Sequence, residues 1–250
     1  MKFSAINSSV SNQSADCLVL FIRSEENQIQ LSSVGQDIDA TTEGLLSNLI
    51  KREQLSASLG QVDVLFEPYG LKYKQLMLIG LGDAAQLTLP KTRKLLSKVI
   101  STLDQRKINH AALSLSDLAH ANPEPISNNA QAQLAQFVCE AAHASQYRYT
   151  ETKSKQSSDE EKTSANALKN ITFILEDAAN IGSIERSIAI GAAIGAGTDL
   201  TKKLSNLPGN VCTPTYLAKT AQTLGKKYGI TTTVLDEAKM KKLGMGSLLS

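Results

Sequence analysis

Short apolar runs along this chain alternate with longer stretches in which apolar residues recur every three or four positions. Residues 2–6 and 17–22 (CLVLFI) predict strands, the second a continuous apolar run of the kind buried on both faces. From 37 to 55 the period changes. Ile38, Leu45 and Leu49 share one helical face there, with Leu46 and Ile50 beside it, before Gly60 interrupts. Val62, Val64 and Phe66 then alternate as a half-buried strand ended by Pro68. Residues 76–79 predict another strand, running into Gly80-Leu81-Gly82-Asp83 as a loop. Pro90 opens a helix that stacks Leu95, Val99 and Leu103, with Leu96 and Ile100 adjacent. Ala111, Leu113 and Leu115 alternate as a further strand. Asn122-Pro-Glu-Pro predicts a turn, and 129–144 a helix with Leu134, Val138 and Ala141 inward.

Between 150 and 166 the composition turns polar and charged (TETKSKQSSDEEKTSAN), which predicts a solvated linker. Residues 171–175 (ITFIL) predict a strand, and a long helix follows from 184 to about 204. Its glycines at 191 and 195 and alanines at 192 and 196 suit the close approach of another helix. The last fifty residues restart the pattern. Thr213 is a suitable N-cap and Pro214 a suitable first helical residue, with Leu217, Ala221, Leu224 and Tyr228 on one face and Gly229 as the stop. Residues 231–235 predict a strand, 237–243 a helix, and Gly244-Met245-Gly246 a break. The pattern then stops at Ser250 without a terminal element, as if cut. Strand–helix alternation throughout argues for helices packed on a sheet.

Length and composition narrow this picture. A chain of 250 residues, 42% hydrophobic and 20% charged, has one to two domains and is too apolar to be wholly disordered. The longest apolar stretch, around Ile188, falls well short of the ~18 residues of a membrane span, and the first residues have no long apolar core. Membrane and secretion are therefore not expected. Cys17, Cys139 and Cys212 are odd in number and widely spaced, suggesting neither a disulfide framework nor a zinc knuckle, and fitting a reducing cytoplasm. A formal charge of +2 and the lack of tryptophan give no general drive toward nucleic acid.

Candidate chemistry is sparse. His110, His120 and His143 are not spaced as a zinc-hydrolase motif. His110 falls at a strand start, His120 in a loop, and His143 near a helix end, where a positive ring suits the dipole. Cys139 and His143 stand four apart on one helix, but Cys139 lies among Phe137, Val138 and Ala141, as a buried inert thiol would. The Gly80–Asp83 segment follows a strand, yet lacks the third glycine of a dinucleotide fingerprint and the Lys-Ser/Thr ending of a P-loop. Lys91, Arg93, Lys94, Lys98, Arg106 and Lys107 form one basic group, and Lys226, Lys227, Lys239, Lys241 and Lys242 a second. Both suit solvated helix faces better than a DNA-contacting stripe.

One segment is more specific. Asn206-Leu-Pro208-Gly-Asn210-Val-Cys-Thr213-Pro214-Thr-Tyr-Leu217-Ala218 resembles the N-x-P-x-N-x-x-T-P-x-x-L-A signature of the leucyl (cytosol) aminopeptidases. Gly209 stands where a proline is common. The continuation Val234-Leu235-Asp236-Glu237, then Lys242-Leu243-Gly244-Met245-Gly246, is similar to the family's next strand and helix, and 191–204 to the helix joining its two domains. Looser similarity covers Leu78-Ile79-Gly80-Leu81-Gly82 and Gln146-Tyr-Arg-Tyr149.

The resemblance implies an α/β protein: an N-terminal macro-like three-layer domain over 1–180, a connecting helix over 181–205, and the first elements of an incomplete catalytic domain over 206–250. It further implies a cytosolic hexamer that hydrolyses N-terminal residues, leucine among them, from peptides, using two divalent metal ions, manganese or zinc. The family's metal ligands lie in motifs resembling GKGxTFDSGG and NTDAEGR, which occur nowhere in these 250 residues. No catalytic, cofactor-binding or metal-ligating residue is therefore assigned to any position, and the chain alone is expected to bind no metal and to be inactive. Asn206 and Asn210 are expected to fix the loop before Thr213 through side-chain hydrogen bonds. Two other readings stay open: a macro-like module holding a nucleotide, and a DNA-binding or structural module without catalysis.

Overall fold

The computed structural model describes residues 1–25, 28–83, 86–120, 130–152, 168–175 and 181–249. They form two compact units, one of Met1–Arg148 with Ser154–Leu200, the other of Tyr149–Lys153 with Thr201–Ser250.

The first unit is built on one mixed sheet. Its strands are β1 (Lys2–Asn7), β2 (Ser14–Glu25), β3 (Gln28–Gln30), β4 (Val62–Phe66), β5 (Lys72–Asp83), β6 (His110–Ser114) and β7 (Asn170–Leu175). The order is β1-β7-β6-β2-β5-β4, with β3 pairing the end of β2. The five strands from β1 to β5 in that order run parallel, and β4 closes one edge antiparallel. Parallel neighbours need crossover connections, and the helices supply them. Alternate side chains of β2 serve opposite faces. Cys17, Val19 and Phe21 join Met77, Ile79 and Leu81 of β5 on one face, under α3 (Leu89–Gln105) and α5 (Ala130–Gln146). Leu18, Leu20 and Ile22 join Leu76 and Leu78 on the other, under α1 (Ser33–Thr41) and α2 (Leu45–Lys51). Two buried faces explain the unbroken apolar run of β2. A short α4 (Ser116–His120) follows β6, and a long α6 (Ile181–Asn206) buries Ile184 in the α3–α5 layer.

In three places the local structure departs from the pattern. The helix expected over 37–55 is two helices at a corner, because Glu43 (φ 56°) and Gly44 (φ 82°) take left-handed backbone. The Asp39 carboxylate holds that corner by accepting the Ser47 amide (2.9 Å) and hydroxyl. Gly80–Asp83 is the end of β5 rather than a loop. His120 ends α4 rather than lying in a loop. The turn expected at 122–125 and most of the linker expected over 150–166 lie outside the described residues.

The second unit holds α7 (Pro214–Tyr228) and α8 (Glu237–Lys242). The strand expected at 231–235 has the right residues but no ladder, since among the described residues no strand lies beside it. Its side chains still alternate: Thr232 and Val234 are half-buried, Thr231, Thr233 and Leu235 exposed.

Candidate functional site

The segment with the most specific sequence pattern is a helix-starting turn. Leu207 is buried and closes the last turn of α6 by donating its amide to Lys203 O. The Pro208 carbonyl then accepts two amides, Val211 N and Cys212 N, both at 2.9 Å. Thr213 follows in extended backbone and its hydroxyl accepts Tyr216 N at 3.3 Å, while Pro214 occupies the first helical turn. Gly229, at φ 68°, ends α7 in left-handed conformation. Asn210 is exposed and the turn is held by backbone, so the expected side-chain bond from Asn210 is not what fixes it. This segment positions a helix, and its one thiol, Cys212, is half-buried and free.

The other candidates are distributed through the first unit and are not brought together. His110 Nε2 lies 2.9 Å from Thr172 Oγ1, which in turn lies 3.0 Å from Ser4 Oγ, a polar row across three parallel strands. His143 Nδ1 lies 3.2 Å from Asp199 Oδ2, joining α5 to α6, and the ring sits over Gly195. Cys139 is fully buried, and burial pushes its thiol up to about 12. Such a thiol is no nucleophile near neutral pH, and the same holds for Cys17.

Gly80 and Gly82 serve backbone packing. A side-chain carbon at Gly80 would stand 2.1 Å from Ser58 O, and Gly82, at φ 69°, donates its amide to Ala57 O at 2.6 Å. The space a phosphate would need at Gly80 is taken by residues 57–61. A polar cleft of about 1080 Å³ lies beside these strand ends, lined by Glu25 and Asp83 with Ser24, Ser56 and Ser58. Of its two carboxylates, Glu25 pairs with Arg23 at 3.2 Å and Asp83 accepts the Gln86 side-chain amide at 3.2 Å.

The basic groups are partly engaged within the fold. Arg93 pairs with Glu140 at 2.9 Å and lies 4.0 Å from the centre of the Phe137 ring. Lys98 donates to Gly60 O and Lys91 to Gln86 O. Lys226 and Lys227 sit in the last turn of α7, and Lys239, Lys241 and Lys242 in that of α8, where cations complement the dipole.

Periodicity missed Asp16. It stands at the start of β2, where Lys74 Nζ reaches it at 2.7 Å and the Asn109 and His110 amides point at its second oxygen (3.2 and 3.0 Å). The Lys74 bond holds its carboxyl below the usual carboxylate range. An aspartate directly before a six-residue apolar run was the available signal. Among the described residues no three His, Cys, Asp or Glu side chains gather where one metal ion could be held. No helix among them is long and apolar enough to cross a membrane.

Comparison with known proteins supplies what local geometry does not. Residues 19–156 match the profile of the cytosol aminopeptidase family, N-terminal domain, and residues 199–250 that of the same family's catalytic domain. The chain belongs to the cytosol aminopeptidase family. A probable cytosol aminopeptidase of Nitrosococcus oceani is 33% identical over the whole chain, and one of Xanthomonas axonopodis pv. citri is 30% identical. The chain covers 47% of each, so it spans about half the length of these relatives. A tomato leucine aminopeptidase mutant shares the fold with a TM-score of 0.71 at 20% identity, over 98% of this chain and 46% of that one. The bottromycin maturation enzyme BotP does so with a TM-score of 0.62 at 22% identity, over 92% and 41%. In this cytosol aminopeptidase chain the matched catalytic segment thus begins in the last two turns of α6 and includes the Pro208–Thr213 turn.

Proposed function

We propose that this chain is the N-terminal α/β domain, connecting helix and first catalytic-domain elements of a cytoplasmic aminopeptidase. The complete enzyme releases N-terminal residues, leucine among them, from peptides, and assembles as a homo-hexamer. The observation that carries this reading is the tandem match, in family order, of the N-terminal and catalytic-domain profiles. The boundaries belonging to this reading are 1–180, 181–205 and 206–250.

Two divalent ions, manganese or zinc, would supply Lewis-acid activation of the scissile carbonyl and an activated water in such an enzyme. The described residues do not fit that centre. Asp16 is committed to Lys74 and two amides, Asp39 to Ser47, and Asp199 to His143, and no three donors converge. No step of the reaction is therefore placed on this chain, whose contribution is to fold, to position α7 and to carry the polypeptide into the catalytic domain.

The test is an assay of leucyl-p-nitroanilide hydrolysis with added Mn²⁺. The purified 250-residue chain is expected to be inactive. A fusion of residues 1–250 to the part of the Nitrosococcus oceani relative beyond the matched region is expected to be active. Chelator-sensitive hydrolysis by the 250-residue chain alone, or an inactive, folded fusion, would overturn the reading.

A further inference from the structure

The packing of α6 on α5 contains a contact that can gain or lose a charge. Gly195 leaves a notch for the His143 ring, whose Cγ and Cδ2 lie 2.5 and 2.6 Å from where a side-chain carbon at 195 would stand. The Phe3 ring of β1 is stacked with the imidazole, 6.5 Å between centroids. Nδ1 lies 3.2 Å from Asp199 Oδ2, one turn beyond Gly195 on α6. The ring is thus fixed by shape as well as by its hydrogen bond.

Three features let this contact strengthen when the ring gains a proton. The second carboxylate oxygen, Asp199 Oδ1, is buried and has no hydrogen-bond partner among the described residues, so one neutral hydrogen bond leaves the carboxylate poorly compensated. His143 stands in the last turn of α5, where helix carbonyls attract a cation. The His143 and Asp199 side chains are half-buried, so a charge there is screened less than on an open surface. The surrounding charges are constant. Arg93 of α3, which lines one groove with Gly195 and Thr198, is paired with Glu140 of α5. Lys202 and Lys203 follow Asp199 on α6, and Lys203 is paired with Glu151. From β1 the facing group is the uncharged Phe3 ring. Of these side chains only a histidine ordinarily changes charge between pH 5 and 8.

We propose that His143 and Asp199 form a proton-dependent clasp between α5 and α6. In weakly acidic medium the contact is an ion pair; in weakly alkaline medium it is a single neutral hydrogen bond. The first unit ends at Leu200, so the clasp sets how firmly the last turn of α6 within that unit is held.

Native-state amide exchange of the 250-residue chain, corrected for the intrinsic pH dependence of exchange, tests the clasp. Protection at 195–199 is expected to be about three- to fivefold higher at pH 5.5 than at pH 8, the worth of a charge at a helix end or in a half-exposed ion pair. Residues 184–188, on the same helix but away from the contact, are expected to show equal protection at both. His143→Gln keeps a donor for Asp199 that cannot gain a charge, and Asp199→Asn keeps an acceptor without one. Each variant is compared with itself at the two pH values, so lost packing cancels, and each is expected to abolish the difference at 195–199. Equal protection at both pH values in the parent, or a change of the same size at 184–188, would overturn the proposal even if neither variant folds. So would the full difference surviving in folded His143→Gln.

Discussion

Helix α6 carries four glycines, two that are contacts (Gly191 and Gly195) and two that are not (Gly182 and Gly197), so the same substitution has opposite consequences along one helix. A side-chain carbon at Gly191 would stand 2.6 Å from the Gln136 carbonyl oxygen and 2.8 Å from Cys139 Cβ. At Gly195 it would stand 2.5–2.6 Å from His143 ring and Cβ atoms, and that ring is tied to Asp199. Neither neighbour is the free end of a flexible side chain, so α6 must move away from α5. A side-chain carbon at Gly197 would meet no atom of another element within 4 Å among the described residues. Glycine to alanine in a helix interior gains about 1 kcal/mol from backbone entropy. Overpacking a tight contact costs about 1–3 kcal/mol. The balance makes Gly191→Ala destabilising by up to about 2 kcal/mol, from the upper half of that cost. Gly197→Ala is stabilising by about 0.5–1 kcal/mol. At roughly 2–4 °C per kcal/mol for a chain of this size, thermal melts followed by circular dichroism resolve the difference in sign. A rise in melting temperature for Gly191→Ala, or a fall for Gly197→Ala, would refute the packing argument.

Other outcomes follow from single contacts. Asp16 has its carboxyl held low by Lys74, so the stability it contributes is present above the unfolded carboxylate pKa of about 3.9 and is lost as pH falls through the lower folded value. Asp16→Asn is expected to lower stability by about 1–2 kcal/mol at pH 7, with the difference shrinking as pH falls below about 4. A difference that does not shrink as the medium is acidified below that point would contradict the assignment. Thr213→Ala removes the α7 cap and should cost that helix about 1 kcal/mol. Asn210→Ala should stay within about 0.5 kcal/mol of the parent, and urea titration compares them. Cys212 is half-buried, whereas the thiols of Cys17 and Cys139 are buried and pushed up to about 12. A maleimide at pH 8 should therefore label one cysteine per native chain and three after unfolding, and labelling of Cys139 before unfolding would contradict its burial.

How legible all this is in the sequence depends on whether a signal is local. The apolar run of β2 and the stacked Leu95, Leu96, Val99, Ile100 and Leu103 of α3 are written in neighbouring residues, and all five α3 side chains are buried. The helix break at Glu43–Gly44 was not legible, because a glutamate in left-handed backbone leaves no mark on periodicity. The role of Gly80 was misread because the carbonyl it accommodates belongs to Ser58, which reaches it only through the fold. At 231–235 the residues are those of a strand, but among the described residues none pairs with them, and pairing is not written in a local pattern. Of the small residues of α6 expected at a helix contact, Gly191 and Gly195 are there, since spacing by four puts them on one face, whereas Ala192 is only half-buried and Ala196 is exposed. The family resemblance in the sequence came from one thirteen-residue signature, whose Thr213 and Pro214 start a helix. The chemistry itself was not legible because neither ligand-bearing motif is among these residues.

The central claim is that these 250 residues are scaffold and that the metal centre is built from residues outside them. Equilibrium dialysis of the purified chain against micromolar Mn²⁺ tests it most directly. The account expects no stoichiometric manganese to be retained. Retention of one or two equivalents per chain, released by chelator, would place a metal site within these residues and contradict it.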